Sequence, residues 1–408
     1  MPNSRIYMDH AATSPLNEVA KQAFVNTLDI VGNPSSLHQD GRNSRMQVEF
    51  AREKLAVACG AHSSEIIFTS GGTEADNLGI KGLYWWQHEL SPKKNKILVP
   101  AFEHHAVLDC VTWLETAEEA ELVFIPIDKT GIVDVDFIAD YLKKDAESIA
   151  LVTCMWANNE VGTIEPILEI AKICQHYKVP FHSDAVQAFG NVEIDFASSG
   201  LTSMAISSHK LGGPLGVGAL VLARSAKPVP VIHGGGQERE VRSGTLDAPA
   251  IVAFAETASH AVATREERTA KLTKLRDYFI AEAEKIDGIK LSGHREKRLA
   301  TNANFTFTGC EGDSLLFLLD LNGISTSTGS ACTAGVPKPS HVLLAMGYSE
   351  EVARGVQRFT FNSTTTKEDI DKVLAVLPNC YEQARAAGLA ADVPSIQYNE
   401  ANFRLKPR

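Results

Sequence analysis

A chain of 408 residues with 44% hydrophobic and 22% charged residues has an ordinary globular composition, and it is long enough for two unequal domains. Its net charge of −11 excludes the basic footprint that stable, non-specific nucleic-acid binding needs. The seven cysteines are odd in number and form no C-x-x-C pair, which argues against a disulfide framework or a structural zinc site.

In chain order, the opening residues lack an apolar signal core, and no run approaches the roughly 18 apolar residues of a membrane span. The expectation is a reduced, cytoplasmic protein with no membrane association and no metal. Val48, Ala51, Leu55 and Ala58 recur at steps of three and four, the period of a helix packed on one face. Short apolar runs at 65–69, 96–99, 122–127, 150–154, 180–183, 204–207 and 219–222 predict strands, with helical patterns between them such as 164–177. Strands alternating with helices imply an α/β fold, a mostly parallel sheet flanked by helices.

The rhythm changes near Ala250. A long helical stretch carries Leu272, Leu275, Phe279, Ala283 and Ile286, followed by a strand at 302–308, a helix at 313–321 and a strand at 356–361. A last helix presents Ile370, Val373, Leu374 and Leu377 on one face. The expectation is a large domain over 14–262, and a smaller α+β domain over 1–13 and 263–408. The tail from Ala391 has no periodicity and reads as extended or docking.

Chemistry concentrates where strands end. The strand at 65–69 runs into Ser70, Gly71, Gly72 and Thr73 before a helix expected from Glu74, so backbone N–H groups can close on an anion. A plain tight turn is the alternative. Asp184 follows a strand in His182-Ser183-Asp184-Ala185-Val186-Gln187, a place where open α/β sheets bind ligands. A carboxylate there can keep a pyridine nitrogen protonated; a helix cap is the plainer reading. Glu103-His104-His105 offers an imidazole after another strand. Ser207-Ser208-His209-Lys210-Leu211-Gly212-Gly213 sets a lysine just past a buried strand, where desolvation makes a usable amine.

These segments, with Asn158-Asn159-Glu160-Val161-Gly162 and Arg242-Ser243-Gly244-Thr245, resemble in order the cysteine desulfurases of the class V aminotransferase group, fold-type I enzymes dependent on pyridoxal 5'-phosphate. The resemblance spans nearly the whole chain, from Tyr7 to Glu368. It implies that Lys210 carries the cofactor covalently, Asp184 pairs with the ring nitrogen, and His104 stacks on the ring and moves protons. It further implies that Gln187 bonds the phenolic oxygen, that Gly72, Thr73, Ser207 and His209 bind the phosphate, and that Asn159 lies beside ring and substrate. In this family the threonine matching Thr245 reaches the neighbouring subunit's cofactor phosphate, which implies a homodimer.

Removing sulfur from L-cysteine needs a nucleophilic thiolate. Ser325 to Gly335 is small, polar and glycine-bearing, a composition suited to a mobile catalytic loop around 325–338, and it contains Cys332. Similar Ser-Gly-Ser-Ala-Cys segments carry the catalytic cysteine of group I desulfurases, which implies that Cys332 takes the sulfur and hands it to an acceptor protein for iron–sulfur assembly or tRNA thiolation. Arg358, in Gln357-Arg358-Phe359-Thr360-Phe361, matches the strand that binds the substrate carboxylate; a guanidinium offers two parallel charge-assisted bonds. Many relatives have glycine where this chain has Asn362, a residue that tolerates left-handed backbone. The rival readings are a selenocysteine lyase or another class V enzyme, and a non-catalytic protein that kept the fold.

Overall fold

The computed structural model describes residues 5–329 and 338–389. After a short β1 (Ile6–Tyr7), seven strands share one sheet: β2 (Ile66–Thr69), β3 (Lys96–Pro100), β4 (Glu121–Ile125), β5 (Ile149–Thr153), β6 (Phe181–Asp184), β7 (Ser203–Ser207) and β8 (Gly218–Leu222). Their order is β2-β8-β7-β6-β5-β3-β4, parallel except for β8, which runs against both neighbours. Alternating side chains divide between two apolar layers. Ile66, Phe68 and Leu98 enter one, and Ile67, Ile97 and Val99 the other. The second layer is closed by the helix Gly72–Leu90, the first by Gln39–Cys59 and Ala248–Ala263.

Much of the later chain builds a second core, although Leu299, Val342, Leu343, Met346, Ala353 and Val356 pack into the first. β9 (Ile289–Leu291), β10 (Asn302–Phe307) and β12 (Val356–Thr360) form an antiparallel sheet of order β12-β10-β9, while β11 (Ile324–Ser325) pairs in parallel with β1. The helices Arg265–Ala283 and Lys367–Leu389 supply Leu272, Phe279, Ile370, Val373 and Leu377 to the same apolar cluster. Met8 joins that cluster, so the N-terminal segment belongs with the late part of the chain.

Several ends differ from the expected ones. The helix expected from Ile164 begins at Ile167, because Pro166 disfavours helical backbone at Glu165. The helix after β2 begins at Gly72 rather than Glu74: Gly71, at φ 156°, takes the irregular cap position. The long helical stretch breaks at Thr264, whose hydroxyl bonds back to the His260 carbonyl at 2.9 Å. The tail from Ala391 lies outside the described residues.

Phe279 sits at the centre of the second core, fully buried, with ring centroids 5.6, 5.0 and 5.9 Å from Phe305, Phe359 and Phe361. Phe279→Ala is expected to cost about 3–5 kcal/mol, read as a lowered midpoint in urea unfolding.

Candidate active site

Because β8 runs against both β2 and β7, those two run the same way, and β3, β5 and β6 share that direction. Their C-terminal ends therefore lie along one edge of the sheet, the side on which parallel sheets present ligand sites. Gly72 and Thr73 follow β2, His104 follows β3, Asp184 ends β6, and Ser207 ends β7 just ahead of His209 and Lys210. The residues singled out in four separate motifs thus converge by topology.

Lys210 lies in a single 3-10 turn after β7, closed by Gly212 in left-handed backbone. Its Nζ donates to the Ala11 carbonyl at 2.7 Å and the Ala12 carbonyl at 2.8 Å. Burial, seconded by the positive charge of Arg358, lowers its pKa to about 8, against the opposing pull of Asp184 and Asp9. A larger fraction of it is therefore a free amine near neutral pH.

Asp184 accepts a 2.8 Å bond from the Val186 N–H, and burial pushes its carboxyl up to about 6, while that bond and Lys210 pull it down. His104 caps the helix His105–Ala117 by accepting from the Ala106 N–H at 3.0 Å through Nδ1, which puts the ring proton on Nε2. Its pKa falls to about 4, through burial first and then the charges of Lys210, His105 and His341. The Gln187 side-chain amide donates to the same Ala11 carbonyl as Lys210, at 3.0 Å. His209 Nδ1 lies 3.2 Å from Thr13 Oγ1. Gly71 has open space where a Cβ would stand, and the buried Ser207 hydroxyl has no hydrogen-bond partner.

Arg358 comes from the other core, on β12. Its guanidinium donates to the Asn159 carbonyl at 2.8 Å and to Asp9 Oδ1 at 2.9 Å, while its Nε is buried without a partner. The Asn159 side-chain oxygen is also buried and unpartnered. Asn362 does not adopt left-handed backbone. Its side chain instead builds the turn, accepting from the Thr364 N–H at 2.9 Å and hydroxyl at 2.7 Å.

Two expected residues stand apart. Thr245 is exposed, with no bond to this cluster. Cys332 lies outside the described residues. The other six cysteines are all buried. Burial pushes the thiols of Cys110, Cys174 and Cys310 up to about 12, and raises those of Cys59, Cys154 and Cys380.

The motifs did not single out Asp9, the ion-pair partner of Arg358, or Glu160. The Glu160 carboxylate is buried, accepts from the Ser340 hydroxyl at 2.5 Å, and touches Gly329, where a Cβ would approach within 3.0 Å. The only sequence signal was position, since both residues sit inside segments that carried the resemblance.

The aminotransferase class-V family model matches residues 6–373. An IscS-like cysteine desulfurase of Mycobacterium tuberculosis is 49% identical over 387 residues, covering 94% of this chain and 98% of that protein. Among solved structures, a NifS-like protein superposes with a TM-score of 0.85 at 31% identity, covering 93% of this chain and all (100%) of the other. A structure described as SspA in complex with cysteine has a TM-score of 0.76 at 30% identity, covering 88% of this chain and 100% of that one.

The environment of Lys210 has a measurable sign. Acylation of Lys210 in cofactor-free protein, followed by peptide mass spectrometry against pH, is expected to show a midpoint near 8. Arg358→Gln removes a repelling charge and is expected to raise that midpoint, whereas Asp184→Asn removes an attracting one and is expected to lower it.

Proposed function

The chain belongs to the class V aminotransferase family, and from that premise we propose that it is a pyridoxal-phosphate-dependent cysteine desulfurase, converting L-cysteine to L-alanine with the sulfur received on Cys332. One observation carries the reading. A lysine amine with weakened proton affinity lies near enough to the buried carboxylate of Asp184 and the guanidinium of Arg358 for both charges to act on it.

The residues present fit the cofactor. The open space over Gly71, the N–H groups of Gly72 and Thr73 at the start of their helix, and the unpartnered Ser207 hydroxyl suit a phosphate, with His209 beside them. Lys210 would hold the cofactor, Asp184 its ring nitrogen, Gln187 its phenolic oxygen, and His104 one face of the ring. The unpartnered Asn159 oxygen faces no protein donor and is free to meet ring or substrate. When bound, the cofactor supplies an electron sink that makes the substrate Cα acidic.

Arg358 then holds the substrate carboxylate through charge-assisted bonds, with Asp9 fixing the plane of its guanidinium. Lys210, as free amine, takes the Cα proton. His104 is neutral over the working range, carries its proton on Nε2, and is suited to relay protons beside Lys210. The Cys332 thiolate attacks the substrate sulfur: the new S–S bond forms as the Cβ–S bond breaks and its electron pair on Cβ takes up a proton, and Lys210 returns a proton to Cα, giving alanine. Elimination supports Cys332. The six other thiols are buried and held protonated, whereas the attacking species must be a thiolate.

The same reading extends to assembly. Val25, Leu28, Val31, Leu37, Met46 and Phe50 are exposed on and between the helices Glu18–Leu28 and Gln39–Cys59. An apolar surface of this kind suits a second copy of the chain, across which Thr245 would reach the partner's phosphate site. The persulfide would pass to an acceptor protein of iron–sulfur assembly or tRNA thiolation. No helix among the described residues is long and apolar enough to cross a membrane.

Lys210→Ala is expected to lose both the visible absorbance of the bound cofactor and alanine release. Cys332→Ala is expected to keep the absorbance and lose alanine formation; normal turnover of cysteine by that variant would overturn the acceptor role. Arg358→Gln is expected to raise KM for cysteine by roughly tenfold to a hundredfold, the value of a charge-assisted pair. Light scattering is expected to give a dimer mass.

A further inference from the structure

Behind the carboxylate that ends β6 lies a second polar chain that none of the steps above uses. His182 precedes Asp184 by two residues and projects to the same face of the sheet. Its Nδ1 lies 2.8 Å from Ser203 Oγ on β7, and its Nε2 lies 3.2 Å from Asp76 Oδ1 in the helix Gly72–Leu90. His182 and Ser203 are 0% exposed and Asp76 is 1% exposed. The helix comes this close because Gly79 lacks a side chain: a Cβ there would stand 2.6 Å from His182 Nδ1.

Charge decides which protonation state this arrangement can hold. The titratable groups facing Asp76 are His182 and Asp184 from β6, Glu103 from the loop after β3, and Cys110 from the helix His105–Ala117. Glu103 is itself 0% exposed, with one oxygen on the Met155 N–H at 2.6 Å and the other unpartnered. Lys210 is the cation that acts on Asp184, and Asp184 has the Val186 N–H besides. Three bare carboxylates behind one amine would bury unpaired charge, a state that proteins avoid by taking up protons. Asp76, next to an imidazole nitrogen that can accept, is the carboxyl best placed to keep one.

We propose that Asp76 is a protonated acid donating to His182 Nε2, that His182 Nδ1–H in turn donates to Ser203 Oγ, and that this uncharged chain is a positioning unit leaving Asp184 as the ionised carboxylate behind the cofactor ring. Both titrations run in the required direction. Burial, with the negative charges of Asp184 and Glu103, raises Asp76 well above the carboxylate range, and burial lowers His182 to about 3. What the site uses from Asp76 is therefore a hydrogen-bond donor and not a charge. The last clause rests on the proposed role of Asp184, and the first two do not.

Infrared difference spectroscopy on cofactor-free protein at neutral pH, wild type minus Asp76→Asn, tests the protonation state alone. The expected result is loss of one protonated-carboxyl stretch; loss of ionised-carboxylate bands instead would overturn the proposal. The near-isosteric variant is used here, so this arm survives if harsher changes fail to fold. In cofactor-loaded protein the readout is the pH midpoint of the cofactor absorbance. Asp76→Asn still presents a donor and is expected to keep the wild-type midpoint, while Asp76→Ala lacks one and is expected to shift it by about one unit. Equal shifts in both variants, or none in either, would overturn the positioning role. A wild-type protein that bound no cofactor would instead indict the assignment of Lys210 and Asp184.

Discussion

An amine that must act as base and nucleophile near neutral pH has to be withdrawn from water without receiving a counterion that fixes its proton. The surroundings of Lys210 meet that constraint. Its nearest partners are two backbone carbonyls, which hold the side chain in place but carry no full charge. Asp184 and Asp9 favour the ammonium from further off, Arg358 opposes it, and burial tips the balance. The site is a compromise among four groups from three parts of the chain.

The opening segment is what brings those parts together. Tyr7 donates to the Asp9 and Thr13 carbonyls at 3.2 and 2.9 Å, the Ala11 N–H donates to Thr360 Oγ1 at 3.0 Å, and Met8 is buried in the second core. The carbonyls that receive Lys210 are therefore held by the sheet that delivers Arg358. A guanidinium comes from one core and an amine and an acid from the other, and residues 8–13 lie between them. Rigid elements on both sides give such a constellation its precision.

Much of this was legible in the residues. The strands of the large sheet announced themselves as short apolar runs, since strands buried on both faces need no alternation. Their ends carried the motifs, and the strand direction that brings those ends to one edge follows from the alternation with helices. What escaped was local or distant. β1, β9 and β11, of two or three residues each, are too short to show a period. Pro166 and Thr264 moved helix ends through backbone sterics and a side-chain bond, which an apolar pattern does not register. Asp9, Asp76 and Glu160 have partners at Arg358, His182 and Ser340, separations that no window along the chain spans. Of the expected site residues, Thr245 stands outside the single-chain cluster, and Cys332 lies outside the described residues.

The central claim is that Lys210, and no other amine, holds the cofactor. Borohydride reduction of the cofactor-loaded protein fixes the bond covalently, and peptide mass spectrometry then locates it. The account expects the pyridoxyl mass on the peptide containing Lys210 and on no other lysine. A label on a different lysine, or none at all in a protein that still releases alanine from cysteine, would contradict it.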